Sequence, residues 1–214
     1  MTAGRQTKIG GIIIAGGGAT RMNGIEKPLR MLAGRPILER IVERVRPQVD
    51  ELAIDVRASS RALYDSWPTQ NVAILSDAFD GRAGPLGGVV GGLEWLNSLG
   101  GDFEWLATFP GDTPFLPRDL VGKLRALATV ERPVPVVASD GEQVQNLCAL
   151  WPIVCLSELR KGVQDGRLRS VRRALDELGA IQCPVSSQHV FTNINTERDL
   201  VDAERLIEQH SVLT

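Results

Sequence analysis

The sequence predicts a single Rossmann-like α/β domain over residues 1–214, with a mostly parallel sheet flanked by helices. Three observations predict it. Short β-branched runs alternate with longer amphipathic ones, as βα units require. The first run, "GGIIIAG" (10–16), is apolar without a break, as a strand covered on both faces must be. No Pro-, Gly- or Ser-rich linker, internal repeat or low-complexity tract divides the 214 residues, a length that suits one α/β domain.

The elements follow in order. After the strand at 10–16, "PILERIVERVRPQ" (36–48) repeats apolar residues at Ile37, Leu38, Ile41, Val42 and Val45, a helix face. "ELAIDV" (51–56) is the second strand, "RALYDSW" (61–67) a short helix and "NVAILSD" (71–77) the third strand. "PLGGVVGGLEWLNSL" (85–99) is helical, "EWLATFPGD" (104–112) a strand and "PRDLVGKLRALAT" (117–129) a helix. Two strands at 133–139 and 144–152 are joined by a turn at Asp140-Gly141. Helices near 153–160 and 167–178 precede a strand at 180–185 and a closing helix at 195–210.

Composition bounds the function. A net charge of -2 excludes a strongly basic nucleic-acid binder, so no nucleic-acid partner is expected. The N-terminal "MTAGRQTKIGG" lacks the apolar core of a signal peptide, and no run reaches the roughly 18 apolar residues of a membrane span. Cys148, Cys155 and Cys183 have no C-x-x-C spacing and predict buried, reduced thiols. A cytoplasmic setting without membrane contact is the expectation. Lysine occurs only at 8, 27, 123 and 161, so Lys27, just beyond a glycine turn, stands out among arginines.

That turn, "IIIAGGGATRMNGIEKPL" (12–29), ends a strand with three glycines and then sets two cations. Glycine lets backbone N–H groups line a concave loop and meet anionic oxygens directly. The P-loop pattern fails because Gly24 is followed by Ile-Glu-Lys, and the dinucleotide fingerprint fails because Arg21 stands at its third glycine. A nucleotidyl-transfer loop fits, with Arg21 and Lys27 as cations on a triphosphate. The strand 104–112 ends in Gly111-Asp112, and ligands of open α/β sheets bind at such carboxyl ends. An aspartate there suits Mg2+, which takes oxygen ligands and typically one or two carboxylates. Asp77 closes another strand on the same rim. Each aspartate alone also suits a turn or helix cap. Gly87, Gly88, Gly91 and Gly92 interrupt a helix at about 1 kcal/mol each, so something approaches that backbone closely. Helix–strand packing explains Gly91 and Gly92; Gly84, Gly87 and Gly88 leave room for a flat base.

Assembled, these segments resemble the molybdenum cofactor guanylyltransferases of the nucleotidyltransferase family. The matching pieces are the 12–29 loop, "GRPILERIVERV", "LSDAFDGRAGPLGGVVGGL", "FPGDTPFLP" and "FTNINTERDL", in family order from about residue 10 to 200. The resemblance implies a nucleotidyltransferase fold, GTP as donor, Mg2+ as cofactor and molybdopterin (Mo-molybdopterin) as acceptor, with other proteins of molybdenum cofactor biosynthesis as candidate partners. It also implies site residues. Ile14, Ala15, Gly16 and Gly17 form the GTP loop, Lys27 contacts phosphate, Asp77 the guanosine, and Asp112 the Mg2+. Gly84, Pro85 and Leu86 belong to the guanine segment. Asp55 falls at a nucleotide contact where the family often has Asn. The acceptor side maps to "GEQVQNLCALW" (141–151), including Gln145, and to Asn193 and Asn195; Asn146 replaces an expected proline. Thr196 and Asp199 also read as a capping box for the last helix. CTP-using relatives tend to A-A-G in the loop and lack G-P-L, so a cytidylyltransferase is one alternative, alongside a sugar-phosphate nucleotidyltransferase and a non-catalytic nucleotide-binding regulator. With a phosphate nucleophile no catalytic histidine is needed, and His189 and His210 have no partners by spacing.

Overall fold

A computed structural model describes residues 7–16, 21–22, 25–65, 71–76, 79, 83–185 and 189–211. The chain opens with β1 (Lys8–Ile14), buried from Gly10 onward. Two small hairpins follow, β2 (Arg21–Met22) with β3 (Ile25–Glu26) and β4 (Met31–Leu32) with β5 (Arg35–Pro36), separated by a 3-10 turn at Lys27–Leu29. Next come α1 (Ile37–Val45), β6 (Glu51–Val56), α2 (Arg61–Asp65), β7 (Ala73–Ser76), α3 (Pro85–Leu99) and β8 (Phe103–Pro110). The remainder is α4 (Leu120–Leu127), β9 (Val136–Ser139), β10 (Val144–Pro152), α5 (Leu156–Gln164), α6 (Val171–Glu177), β11 (Ile181–Pro184) and α7 (Glu197–Ser211).

One sheet carries seven strands in the order β11-β9-β10-β8-β1-β6-β7. Pairing is parallel throughout except at β10, which runs antiparallel to both β8 and β9. The turn at Asp140-Gly141 makes β9 and β10 a hairpin, which fixes that reversal. β1 sits between β6 and β8, and its side chains alternate between two cores. Ile13 packs with Ile37, Ile41, Leu124, Ile194 and Ala203 on the side of α1, α4 and α7. Ile12 and Ile14 pack with Leu86, Val89, Leu93, Leu159 and Leu175 on the side of α3, α5 and α6. Burial on both faces is the reason for the unbroken apolar run. The three cysteines are buried and unpaired. Burial pushes the Cys155 thiol up to about 11, and those of Cys148 and Cys183 also rise, so none is a reactive thiolate at neutral pH.

The sequence reading had no strand between residues 17 and 36. The β4–β5 hairpin turns through Ala33 (φ 45°) and Gly34 (φ 76°), a two-residue turn with both residues left-handed. Ala-Gly is a weak signal for such a turn, whose first position favours Asn or Gly. The turn is held from outside: Ala33 N donates to Glu204 Oε1 on α7 at 3.1 Å, and Arg40 donates to Leu32 O and Ala33 O. Relief of the alanine strain is testable. Ala33→Asn is expected to stabilise the protein by about 0.5–1 kcal/mol, seen as a higher urea midpoint. An unchanged midpoint would show that the turn carries no such strain.

Candidate active site

The rim is formed where β1, β6 and β8 end together. The ladder continues beyond the strands: Ala15 N donates to Asp55 O at 2.9 Å, and Gly111 N donates to Ile14 O at 3.0 Å. A Cβ on Gly111 would stand 2.9 Å from Ile14 O and 3.0 Å from Ala15 Cα. Glycine is therefore what lets the end of β8 close against the start of the glycine loop. Arg57 Nε adds a bond to Gly16 O at 3.0 Å, so Ala15 and Gly16 are held on both flanks.

Lys27 begins the 3-10 turn after β3, and only 7% of it is exposed. Its Nζ donates to Asn195 Oδ1 at 2.7 Å and lies 3.3 Å from Asp112 Oδ2. Asp112 follows β8 and keeps 27% of its side chain exposed. A buried ammonium needs partners, and here two distant segments supply them. Beside Lys27, the buried carboxylate of Glu26 accepts from Ser60 Oγ at 2.6 Å, which ties β3 to the segment after β6. Tyr64 packs beneath, its phenol pushed well above the ordinary range by burial and by the nearby Glu26 charge.

The last helix completes the site. Ile194 N donates to Asp112 O at 2.9 Å, joining the 193–195 segment to the end of β8. Thr113 Oγ1 donates to Asn193 Oδ1 at 2.5 Å and lies 3.3 Å from Asp112 Oδ1. Asn195 N and Thr196 N donate to Asp199 Oδ2 at 2.9 and 2.8 Å, and Asp199 N donates to Thr196 Oγ1 at 3.2 Å. That is the reciprocal capping box the sequence suggests. These backbone N–H groups hold the Asp199 carboxyl below the usual range, and the Lys27 charge adds to the effect. Arg30 Nη2 donates to both carboxylate oxygens of Glu197, at 2.6 and 2.7 Å. Asn195 thus has two structural roles: its backbone joins the cap and its side chain holds Lys27.

Asp55 lies in β6 and is 5% exposed. Its Oδ2 occupies the space next to Gly88 on α3, where a Cβ would come within 2.5 Å of it and 2.7 Å of Ile14 Cδ1. The expectation that Gly88 leaves room for a base is therefore corrected, because the protein's own carboxylate and isoleucine fill that room. Gly92 packs tightly against Leu106 and Ile12 as expected, whereas a Cβ on Gly91 would meet none of the described residues within 4 Å, so close packing is not the reason for that glycine. Gly84 (φ 54°) caps the start of α3 with none of the described residues within 4 Å of where a Cβ would stand, Pro85 opens the helix, and Leu86 is buried in the cluster that holds Ile14. Gly88→Ala is expected to destabilise the protein by about 1–3 kcal/mol through overpacking, read as a lower urea midpoint at unchanged slope. An unchanged midpoint would mean that Asp55 yields without cost.

The structure therefore brings Ala15, Gly16, Lys27, Asp55, Asp112, Asn193 and Asn195 to one rim. Gln145 is engaged otherwise: its Nε2 donates to Asp140 Oδ2 at 2.9 Å within the β9–β10 turn. Gly17 and Asp77 lie outside the described residues, and Arg21 is described by its backbone alone, in β2. Thr113, 1% exposed, is the residue that sequence reasoning passed over. A hydroxyl directly after a rim aspartate was the available signal. Among the described residues no group of three or more His, Cys, Asp or Glu is arranged to hold a metal ion. The single carboxylate of Asp112 fits an ion that draws most of its ligands from phosphate and water, as Mg2+ commonly does. No described helix is long and apolar enough to cross a membrane.

Comparison with known proteins identifies the family. The MobA-like NTP transferase domain matches residues 11–178. A molybdenum cofactor guanylyltransferase of Bradyrhizobium sp. (strain ORS 278) is 33% identical over 208 residues, covering 96% of each chain. One from Rhodopseudomonas palustris (strain BisB5) is 35% identical over 197 residues, covering 91% of this chain and 92% of its own. Among solved structures, molybdopterin-guanine dinucleotide biosynthesis protein A from Archaeoglobus fulgidus superposes with a TM-score of 0.72 at 20% identity, covering 94% of this chain and 99% of its own. A Mycobacterium tuberculosis protein solved in complex with manganese superposes with a TM-score of 0.64 at 15% identity, covering 93% and 98%. These two share the fold. With the domain matched across most of its length, and relatives a third identical from end to end, the chain belongs to the MobA-like NTP transferases and, within them, to the molybdenum cofactor guanylyltransferases.

Proposed function

We propose that this chain transfers GMP from GTP to the terminal phosphate of molybdopterin (Mo-molybdopterin) in the cytoplasm and releases pyrophosphate. The observation that carries the reading is the 3.3 Å approach of Lys27 Nζ to Asp112 Oδ2 on the rim beside the glycine loop. A triphosphate there can meet Lys27 directly and Asp112 through a bound metal ion. In the transfer, an acceptor phosphate oxygen attacks the α-phosphorus. The new P–O bond forms as the bond to the β-phosphate bridging oxygen breaks, and that electron pair leaves with pyrophosphate. The nucleophile is already ionised at neutral pH, so no general base is required.

The chain's own residues bind, orient and neutralise. Backbone N–H groups of the loop from Ala15 through Gly17 hold the phosphates. Lys27 exchanges its Asp112 partner for phosphate oxygens while Asn195 keeps its grip on the ammonium. Arg21 adds a second cation. Asp77 and the Gly84-Pro85-Leu86 segment hold the guanosine, and Asp55 supports the nucleotide from beneath by bracing Gly16 and α3. Asn193 and Asn195 receive the acceptor's phosphate, and Gln145 borders the acceptor through the β9–β10 turn. Mg2+, when bound, supplies positive charge on the triphosphate, and Asp112 is the residue that would hold it. Positioning and electrostatic stabilisation then supply the rate without a covalent enzyme intermediate. Partner proteins of molybdenum cofactor biosynthesis deliver the pterin.

The test is pyrophosphate release from the purified chain with molybdopterin and GTP, CTP or ATP in turn. GTP is expected to be preferred clearly over the others. A CTP preference would overturn the base assignment, turnover with a sugar phosphate in place of molybdopterin would overturn the acceptor, and no release with any pair would leave a nucleotide-binding regulator.

A further inference from the structure

We infer that Thr113 is a positioning residue for the acceptor: its buried hydroxyl sets which end of the Asn193 amide faces the substrate. This rests on the reading that Asn193 meets the acceptor's phosphate. A side-chain amide has a donor end and an acceptor end of nearly the same shape. Facing a phosphate, the N–H2 end attracts and the carbonyl end repels, so an asparagine that may point either way is a poor phosphate ligand.

Thr113 is 1% exposed. It has one hydroxyl proton and two neighbouring acceptors, and Asn193 Oδ1 at 2.5 Å is much nearer than Asp112 Oδ1 at 3.3 Å, so the proton goes to the amide oxygen. The carbonyl end is thereby engaged inside the protein, and the N–H2 end is what remains to offer a ligand. The same logic governs the other asparagine, whose Oδ1 accepts from Lys27 Nζ at 2.7 Å. Both amides are thus oriented by internal donors acting on their oxygens. The backbone bond from Ile194 N to Asp112 O, at 2.9 Å, holds the two segments in register independently of the hydroxyl. A substitution that removes only the hydroxyl therefore leaves the frame in place.

The experiment measures kcat and separate KM values for GTP and molybdopterin in the full chain, for the wild type, Thr113→Val, Thr113→Ser, Asn193→Ala and Asn193→Asp. Thr113→Val is expected to raise the molybdopterin KM about tenfold, the scale of one lost hydrogen bond to a charged group. The GTP KM should stay within about twofold, and Thr113→Ser should restore the wild-type value. An unchanged molybdopterin KM in Thr113→Val, or an equal rise in both KM values, overturns the inference. If Thr113→Val fails to fold, the Asn193 pair decides. With the hydroxyl anchoring one oxygen, Asn193→Asp sets the other against the phosphate and should bind molybdopterin more weakly than Asn193→Ala. Equal or tighter binding by Asn193→Asp overturns the inference. Failure of the underlying reading looks different: Asn193→Ala itself would then leave the molybdopterin KM unmoved.

Discussion

Asp112→Ala is expected to lower GMP transfer by about a hundredfold or more, the usual scale for losing transition-state charge stabilisation, because Asp112 is the residue that would hold the charge-neutralising Mg2+. The same variant should also lose stability, because the two members of its ion pair are not equally placed. Asp112 keeps 27% of its side chain in water, whereas Lys27 keeps 8%. Removing the carboxylate leaves a buried ammonium with Asn195 as its one hydrogen-bond partner among the described residues, and Lys27 cannot rehydrate without moving. An uncompensated buried charge of this kind costs about 1–3 kcal/mol. Asp112→Asn preserves shape and removes only charge, so it should match the alanine variant in activity and lose less stability. Steady-state kinetics and a urea titration of both variants check this. Near-normal turnover in either would remove Asp112 from the mechanism.

Lys27→Ala is expected to lower turnover by a similar factor, about a hundredfold or more, with the opposite stability signature. Its loss frees Asp112, which is exposed enough to take up water, and the urea midpoint should move less than in Asp112→Ala. Lys27→Arg should not rescue. A guanidinium is larger and planar, and the space that holds Nζ at 2.7 Å from Asn195 Oδ1 is shaped for a point charge. Full activity in Lys27→Arg would show that positive charge alone suffices.

Much of this architecture was legible from periodicity. The bounds of β6, α3 and β10 coincide with the apolar patterns at 51–56, 85–99 and 144–152, because long regular elements write their period into the chain. The two small hairpins were not legible, since strands of two residues carry no alternation and Ala33-Gly34 is not a strong turn signal. Lys27 and Asp112 stood out by type and by their places after a turn and a strand. Asn195 was named through the family resemblance, but not as the partner of Lys27, and Thr113 was given no role, because both contacts are set by tertiary closure. Gly88 was legible as a close approach, but the occupant, Asp55, belongs to an element 33 positions earlier.

The bond from Lys27 to Asn195 spans 168 positions of the chain. During synthesis, the glycine loop, Lys27 and Asp112 have all left the ribosome before Asn193, Asn195 and α7 exist. The earlier strands can pair before then, as domains growing from the N-terminus do, although the core around Ile13 takes Ile194, Leu200 and Ala203 from this late segment. Arrival of α7 is then the step that brings Asn193 and Asn195 to Lys27 and Asp112, so the rim is finished only after the strands that carry most of it have been made.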